Sequence, residues 1–250
     1  MTEYRIATLE ERKEFYQNEF DIDKLLAWFK FKPQFLAIDC GSESGVIKFP
    51  DRKDKIIVLP PNLPKEELKR RFVVYLPEDI YYDRNVYDDE TVWFKQNQFR
   101  KFWGMPGFAG QQLCFDVDVE NIRDADHNNK DDYTSAVKEA AAQTLEVADV
   151  LRNQWNFQDI GFVYSGRGFH VQIYDKESFK LKVSERNAIN DSLTKFAIDK
   201  WVSGGASRLM RLPFSLHGLV SRVVTPLEEK ELGTFDPSKD GRTLPQFLSH

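Results

Sequence analysis

Polar and apolar positions change period several times along this chain, and those changes predict its elements. Over 134–153 (TSAVKEAAAQTLEVADVLRN) the apolar residues Val137, Ala141, Leu145, Ala148 and Leu151 recur at steps of three and four. That is the repeat of one helical face; Ala and Glu between them favour a helix, and Thr134 or Ser135 can cap it. Shorter patterns predict helices over about 9–18, 64–71 and 184–199. Short apolar runs predict strands at 35–39, 45–49, 55–59, 72–76, 91–95, 112–119, 160–165, 169–174 and 221–225. The irregular alternation of the two predicts an α+β fold of mixed, largely antiparallel sheets flanked by helices. The polar run RDADHNNKDD (123–132) reads as a loop and the Pro-rich VLPPNLPK (58–65) as a tight connection.

Composition narrows the class. The 250 residues are 41% hydrophobic and 30% charged, which excludes a largely disordered chain. With no internal repeat and no low-complexity linker, one domain over 1–250 is expected. No run of eighteen apolar residues offers a membrane span, and MTEYRIATLEERKEF lacks the apolar core of a signal peptide, so a cytoplasmic location is expected. Cys40 and Cys114 stand 74 positions apart, and His127, His170, His217 and His250 are scattered, so no structural zinc is expected. A formal charge of −5 argues against coating nucleic acid by bulk electrostatics while leaving room for a local basic groove.

Asp-x-Asp occurs three times, and context separates the copies. Asp21/Asp23 opens a helix-like segment and Asp124/Asp126 lies in the polar loop, so capping and solvation account for both. Asp116/Asp118 lies within LCFDVDV, where period-two alternation puts Phe115, Val117 and Val119 on one strand face and both acids on the other. Two carboxylates so placed repel unless they share a proton or hold a cation between them; the alternatives are a divalent-metal site or a solvated sheet face. A second feature, VYSGRGFHVQIYD (163–175), joins two strand-like runs through Ser165-Gly166-Arg167-Gly168. Its glycines allow close backbone approach, and Arg167 and His170 are donors suited to phosphate oxygens, although an ordinary hairpin turn reads the same way. In the third, RLMRLPFSLHG (208–218), Arg208 and Arg211 are three apart and Ser215 and His217 two apart, a spacing that lets them converge on an anion or merely face solvent. Asp199, in FAIDKWV, lies a few residues upstream.

In this order the three elements resemble those of the catalytic (small) subunit of archaeal and eukaryotic-type DNA primases, the archaeal ones above all. ERKEFYQNEFD (11–21) and DIYYDRNVY (79–87) are also similar to stretches of that subunit, so the resemblance extends over most of 9–240. It implies the archaeo-eukaryotic primase catalytic core. Asp116 and Asp118 match the family's metal-binding pair and Asp199 its third catalytic acid, nine positions before Arg208, twelve before Arg211 and eighteen before His217; the resemblance implies that all three, Asp116, Asp118 and Asp199, hold the metal. Ser165, Arg167 and His170 match the triphosphate-binding hairpin, Arg208, Arg211, Ser215 and His217 the rest of that pocket, and Arg84 an early arginine.

The activity implied is primer synthesis for DNA replication: a DNA-directed nucleotidyltransferase joining nucleoside triphosphates on a single-stranded DNA template. Two Mg²⁺ or Mn²⁺ ions would activate the attacking oxygen and steady the leaving pyrophosphate. NTPs or dNTPs are the implied substrates, and a primase large subunit, or a fused C-terminal domain of one, the implied partner. A stand-alone primase-polymerase or repair polymerase that extends supplied primers is the alternative on the same fold. Three departures stand out. The place of the family's zinc knuckle holds RDADHNNKDD, the usual helical insertion between hairpin and third acid shrinks to about thirty residues, and the common Lys after Leu-His-x is Leu219. Basic clusters at Lys48, Arg52, Lys53 and Lys55, at Lys65, Lys69, Arg70 and Arg71, and at Lys95, Arg100 and Lys101 are candidates for a template path or plain solvated faces. Trp93, Phe94, Phe99, Phe102 and Trp103, beside the last cluster, suit base stacking or core packing.

Overall fold

The structure, a computed structural model, describes residues 4–33, 35–60, 63–88, 107–126 and 129–248. Two four-stranded antiparallel sheets organise it. In one the order is β2 (Ile56–Leu59), β1 (Leu36–Asp39), β3 (Asp79–Asp83) and β9 (Leu209–Arg211). The other runs β12 (Thr225–Leu227), β7 (Ile160–Tyr164), β8 (Gly168–Ile173) and β6 (Cys114–Asp118). Two smaller ladders pair β4 (Asn85–Tyr87) with β5 (Phe108–Gln111) and β10 (Leu216–His217) with β11 (Arg222–Val223). The α+β, largely antiparallel expectation is borne out.

Each large sheet has its own core. α1 (Leu9–Glu14), continued by a π-helical turn over Phe15–Glu19, α2 (Ile22–Trp28) and α3 (Lys65–Tyr75) are the helices that accompany the first sheet. There Phe15, Tyr16, Leu25 and Phe72 join Ile38, Ile80 and Tyr82. The second sheet is covered by the long helix α5 (Lys130–Trp155), which follows the single turn α4 (Val119–Ile122). Val137, Ala141, Ala148 and Leu151, the stripe anticipated from periodicity, bury against Phe115, Val117, Phe169 and Val171. The helix is longer than expected because Asn129, rather than Thr134 or Ser135, caps it, accepting from Asp132 N–H at 3.2 Å.

Several expectations are corrected. FVVYL (72–76) was expected to be a strand; instead α3 runs through Tyr75, since Leu68 and Phe72, one turn apart, anchor a buried face. No strand forms at 45–49. The helix expected over 184–199 is only α6 (Val183–Ser192), after which the chain turns so that Ile198 bridges to Val117 of β6. The expected strand at 91–95 lies outside the described residues.

The seam between the sheets follows from the alternation in β6. Phe115 and Val117 enter the core under α5, whereas Cys114 packs into the core of the first sheet. The Cys114 face is therefore turned toward the first sheet, and by the period of two it carries Asp116 and Asp118. Polar groups bridge the seam at its buried end: Tyr82 OH of β3 donates to Gln112 Oε1 at 3.0 Å and accepts from Gln172 Nε2 of β8 at 3.0 Å. Among the described residues no helix is long and apolar enough to cross a membrane.

Candidate active site

The antiparallel register of β6 and β8 sets Asp116 opposite His170 and Asp118 opposite Gly168. His170 Nε2 lies 3.8 Å from Asp116 Oδ1. Asp116 Oδ1 is buried and accepts no hydrogen bond, although 22% of the side chain is exposed. Asp118 caps α4, its Oδ1 accepting from Glu120 N–H at 3.2 Å. Burial and then the neighbouring Asp118 push the Asp116 carboxyl well above the ordinary range; Asp118 is raised too, by burial, with Arg167 and Arg211 opposing.

Asp199 arrives from 83 positions further along the chain. Asp199 N–H donates to the Asp116 carbonyl at 2.9 Å, and the Asp199 side chain caps the single turn α7 (Lys200–Ser203), accepting from Trp201 N–H at 2.8 Å.

The Ser165–Gly168 turn is built to lie flat against this seam. Ser165 Oγ accepts from Gly168 N–H at 3.1 Å, so the hydroxyl holds the turn. Gly166 has φ +102°, and a Cβ there would stand 2.5 Å from His217 Cδ2; a Cβ on Gly168 would meet the Val117 carbonyl at 2.2 Å. Only glycine permits both approaches, which is how the turn packs on β6 and on His217 at once. Arg167, between the glycines, is mostly buried and ion-paired with Glu120.

Across the seam stand β9 of the first sheet and β10 of the small β10–β11 ladder. Arg211 Nε lies 3.4 Å from Asp79 Oδ1, and His217 Nδ1 lies 3.0 Å from the same oxygen. Burial alone would raise Asp79, but Arg211 and His217 outweigh it and hold the carboxyl below its ordinary range. Burial, reinforced by Arg211, pushes His217 down to about 4 and His170 down to about 3, so both imidazoles are neutral at pH 7.

The structure therefore gathers Asp116, Asp118, Asp199, Ser165, Arg167, His170, Arg211 and His217 into one seam. Three other candidates are engaged elsewhere. Arg84 is fully buried and donates to the carbonyls of Ser207 (3.0 Å), Gln112 (2.9 Å) and Val202. Arg208 forms a buried two-point pair with Asp83 at 3.0 and 2.5 Å, with its guanidinium 4.9 Å from the Phe35 ring centre. Ser215 Oγ donates to the Leu212 carbonyl at 2.7 Å. Asp79, absent from the sequence reading, orients two of the pocket's donors; its one signal was an acid opening the strand-like DIYYD.

Divalent cations fit the pair in part. A buried carboxylate oxygen with no donor, beside a second carboxylate, suits a hard cation. Among the described residues no three His, Cys, Asp or Glu side chains converge closely enough to hold an ion, so the expected three-acid set of Asp116, Asp118 and Asp199 is not assembled: the Asp199 side chain is turned to cap α7 instead. Mg²⁺-type sites commonly complete their shell with substrate phosphates and water, so two carboxylates suffice to begin one.

Several members of the first two basic clusters make local contacts. Lys65 pairs with Asp23, Arg70 and Arg71 pair with Glu67, and Lys48 donates to the Val74 carbonyl. Lys95, Arg100 and Lys101, with Trp93, Phe94, Phe99, Phe102 and Trp103, lie outside the described residues.

No family model matches the chain. An uncharacterized DNA primase small subunit-like protein of Archaeoglobus fulgidus is 34% identical over 98% of this chain and 91% of its own length. The DNA primase small subunits PriS of Pyrobaculum calidifontis and Pyrococcus horikoshii are each 26% identical, over 67% and 74% of this chain. Those alignments span 65% and 48% of the two relatives' lengths. Among solved structures, the polymerase domain from Mycobacterium tuberculosis ligase D in complex with DNA aligns with a TM-score of 0.43 and 16% identity, over 79% of this chain and 67% of that one. The identity to the Archaeoglobus protein, sustained along nearly the whole chain, places the present chain in the DNA primase small subunit-like family.

Proposed function

We propose that the chain is a template-directed nucleotidyltransferase that synthesises primers from nucleoside triphosphates on single-stranded DNA. The observation that carries this is the opposition of charges across one seam: the Asp116 and Asp118 carboxylates of β6 feel the charges of Arg211 on β9 and of Arg167 in the turn. Acids there suit cations and arginines there suit a triphosphate, which is the charge pattern nucleotidyl transfer needs.

Asp116 and Asp118 would hold the divalent ions, Mg²⁺ or Mn²⁺, which when bound supply Lewis-acid activation of a 3′-hydroxyl and neutralisation of the pyrophosphate. Asp199, tied to Asp116 by its backbone N–H, would serve as the third acid. Arg167 and Arg211 neutralise phosphate oxygens, and a planar guanidinium fixes their direction. His170 and His217, neutral at pH 7, donate a ring N–H without adding charge. Ser165 and Ser215 shape the turns that carry these groups, and Arg84 and Arg208 hold the scaffold by their backbone and Asp83 contacts. Single-stranded DNA, NTPs or dNTPs, and a large subunit or its fused equivalent are the partners this reading requires.

One observation favours extension of supplied primers as a second reading. Leu219, where the family commonly has a lysine, packs against the core under α5 and supplies no phosphate cation. A weaker hold on the first triphosphate penalises initiation, which needs two free nucleotides, more than extension. Product analysis on single-stranded template with Mn²⁺, with and without a short primer, separates the two. Dinucleotides formed from free triphosphates support the primase; products only when primer is supplied support the polymerase. Template cleavage without synthesis would reject both in favour of a nuclease.

A further inference from the structure

Trp201 is 75% exposed, and it sits two residues beyond Asp199. The other tryptophans among the described residues are used internally: Trp28 packs edge-on against Phe29 and Tyr82, and Trp155 Nε1 donates to Ser192 Oγ at 3.0 Å. Among the described residues the Trp201 ring has no aromatic or cationic partner. Its backbone, by contrast, is held from both sides. The Trp201 N–H donates to Asp199 Oδ1 at 2.8 Å, and its carbonyl accepts from Ala206 and Ser207 N–H at 3.0 and 3.1 Å. A large apolar ring left in water on a backbone pinned to an active-site acid is a prepared surface, since exposed indole is costly and its placement here is fixed.

We propose that Trp201 is a stacking platform for a nucleobase held beside Asp199. The proposal rests on the nucleotidyl-transfer reading above, because what lies next to that acid during the reaction is then nucleotide or nucleic acid. An indole face takes any base by π-stacking, so the contact positions without reading sequence. The base can come from the template, the primer end or the incoming nucleotide, and all three share this chemistry. The adjacent Lys200, also exposed, offers a cation to the phosphate of whichever strand the indole engages.

The test uses the full chain as wild type, Trp201→Ala and Trp201→Phe, with Ca²⁺ present to prevent turnover. Affinities are measured for labelled oligothymidine, for a labelled primer–template duplex, and for a nucleoside triphosphate. Trp201→Ala is expected to weaken at least one of them by about 5- to 150-fold, with Trp201→Phe recovering most of the loss. The ligand affected identifies the source of the base. The salt dependence of DNA binding should stay unchanged, because no phosphate contact is removed. Thermal melting should also stay unchanged, because the ring is exposed. Wild-type affinity for all three in Trp201→Ala would overturn the stacking role while leaving the nucleotidyl-transfer reading standing. A wild-type chain that binds none of the three would overturn both.

Discussion

The Asp199 backbone N–H donates to the Asp116 carbonyl at 2.9 Å, joining two acids 83 positions apart in the chain. A backbone bond fixes where the third acid stands whatever its side chain does. That side chain has a second task, capping α7 through Trp201 N–H.

Asp199→Asn separates these roles. The amide oxygen can still accept from Trp201 N–H, so the melting temperature should hold, whereas nucleotide incorporation should fall by about 100-fold or more with the charge gone. Asp199→Ala should lose activity and also about 1 kcal/mol of stability with the cap. Equal melting losses in both variants would show that the cap is not what the carboxylate contributes.

Asp116 lies beside Asp118 with one buried oxygen that accepts nothing, so without a cation it opposes folding. Its folded carboxyl lies above the ordinary range, so this group costs stability as pH rises through that raised value. Asp116→Asn should therefore stabilise the cation-free protein by about 1 kcal/mol, read as a rise in melting temperature of about 2–4 °C. Mn²⁺ should raise the melting temperature of the wild type and leave that of Asp116→Asn nearly unchanged. A variant that melts below wild type without metal would contradict the strain assigned to the pair.

The buried imidazoles act in the opposite sense. His217 titrates at about 4 when folded against about 6.5 when unfolded, so between those values the unfolded chain binds a proton that the folded chain does not. Its contribution to stability is complete above about pH 6.5 and is lost as pH falls toward 4, at about 1.4 kcal/mol per pH unit. His217→Gln should flatten the pH dependence of stability by that slope, measured by urea unfolding at pH 7, 6 and 5. The comparison with wild type cancels the opposing drift from Asp116 and Asp118, and an unchanged slope would place the titration elsewhere.

What the sequence made legible follows the physics of local pattern. Period two set Asp116 and Asp118 on one face, and the same alternation in FHVQIY carried His170 to that side. The 3.6-residue stripe of α5 was readable for the same reason. FVVYL misled because its β-branched residues favour a strand, while a buried face begun four residues earlier at Leu68 continues the helix. The strand carrying Asp79 went unread because nothing in DIYYD reveals that Arg211 and His217 would settle on its first acid. Arg84 and Arg208 show the limit of motif reading: sequence supplies a guanidinium, and only packing decides whether it meets a ligand or a backbone carbonyl.

The central claim is that the Asp116–Asp118 pair on β6 drives metal-dependent nucleotide joining. Its most direct test is incorporation of labelled nucleotide on single-stranded template with Mn²⁺, wild type against Asp118→Ala, with a short primer present and absent. The wild type is predicted to form product under at least one condition, and Asp118→Ala to lose it by about 1000-fold in keeping with the several kcal/mol that bound metal contributes. Product that persists in Asp118→Ala, or a wild type that makes none with or without primer, would contradict the account.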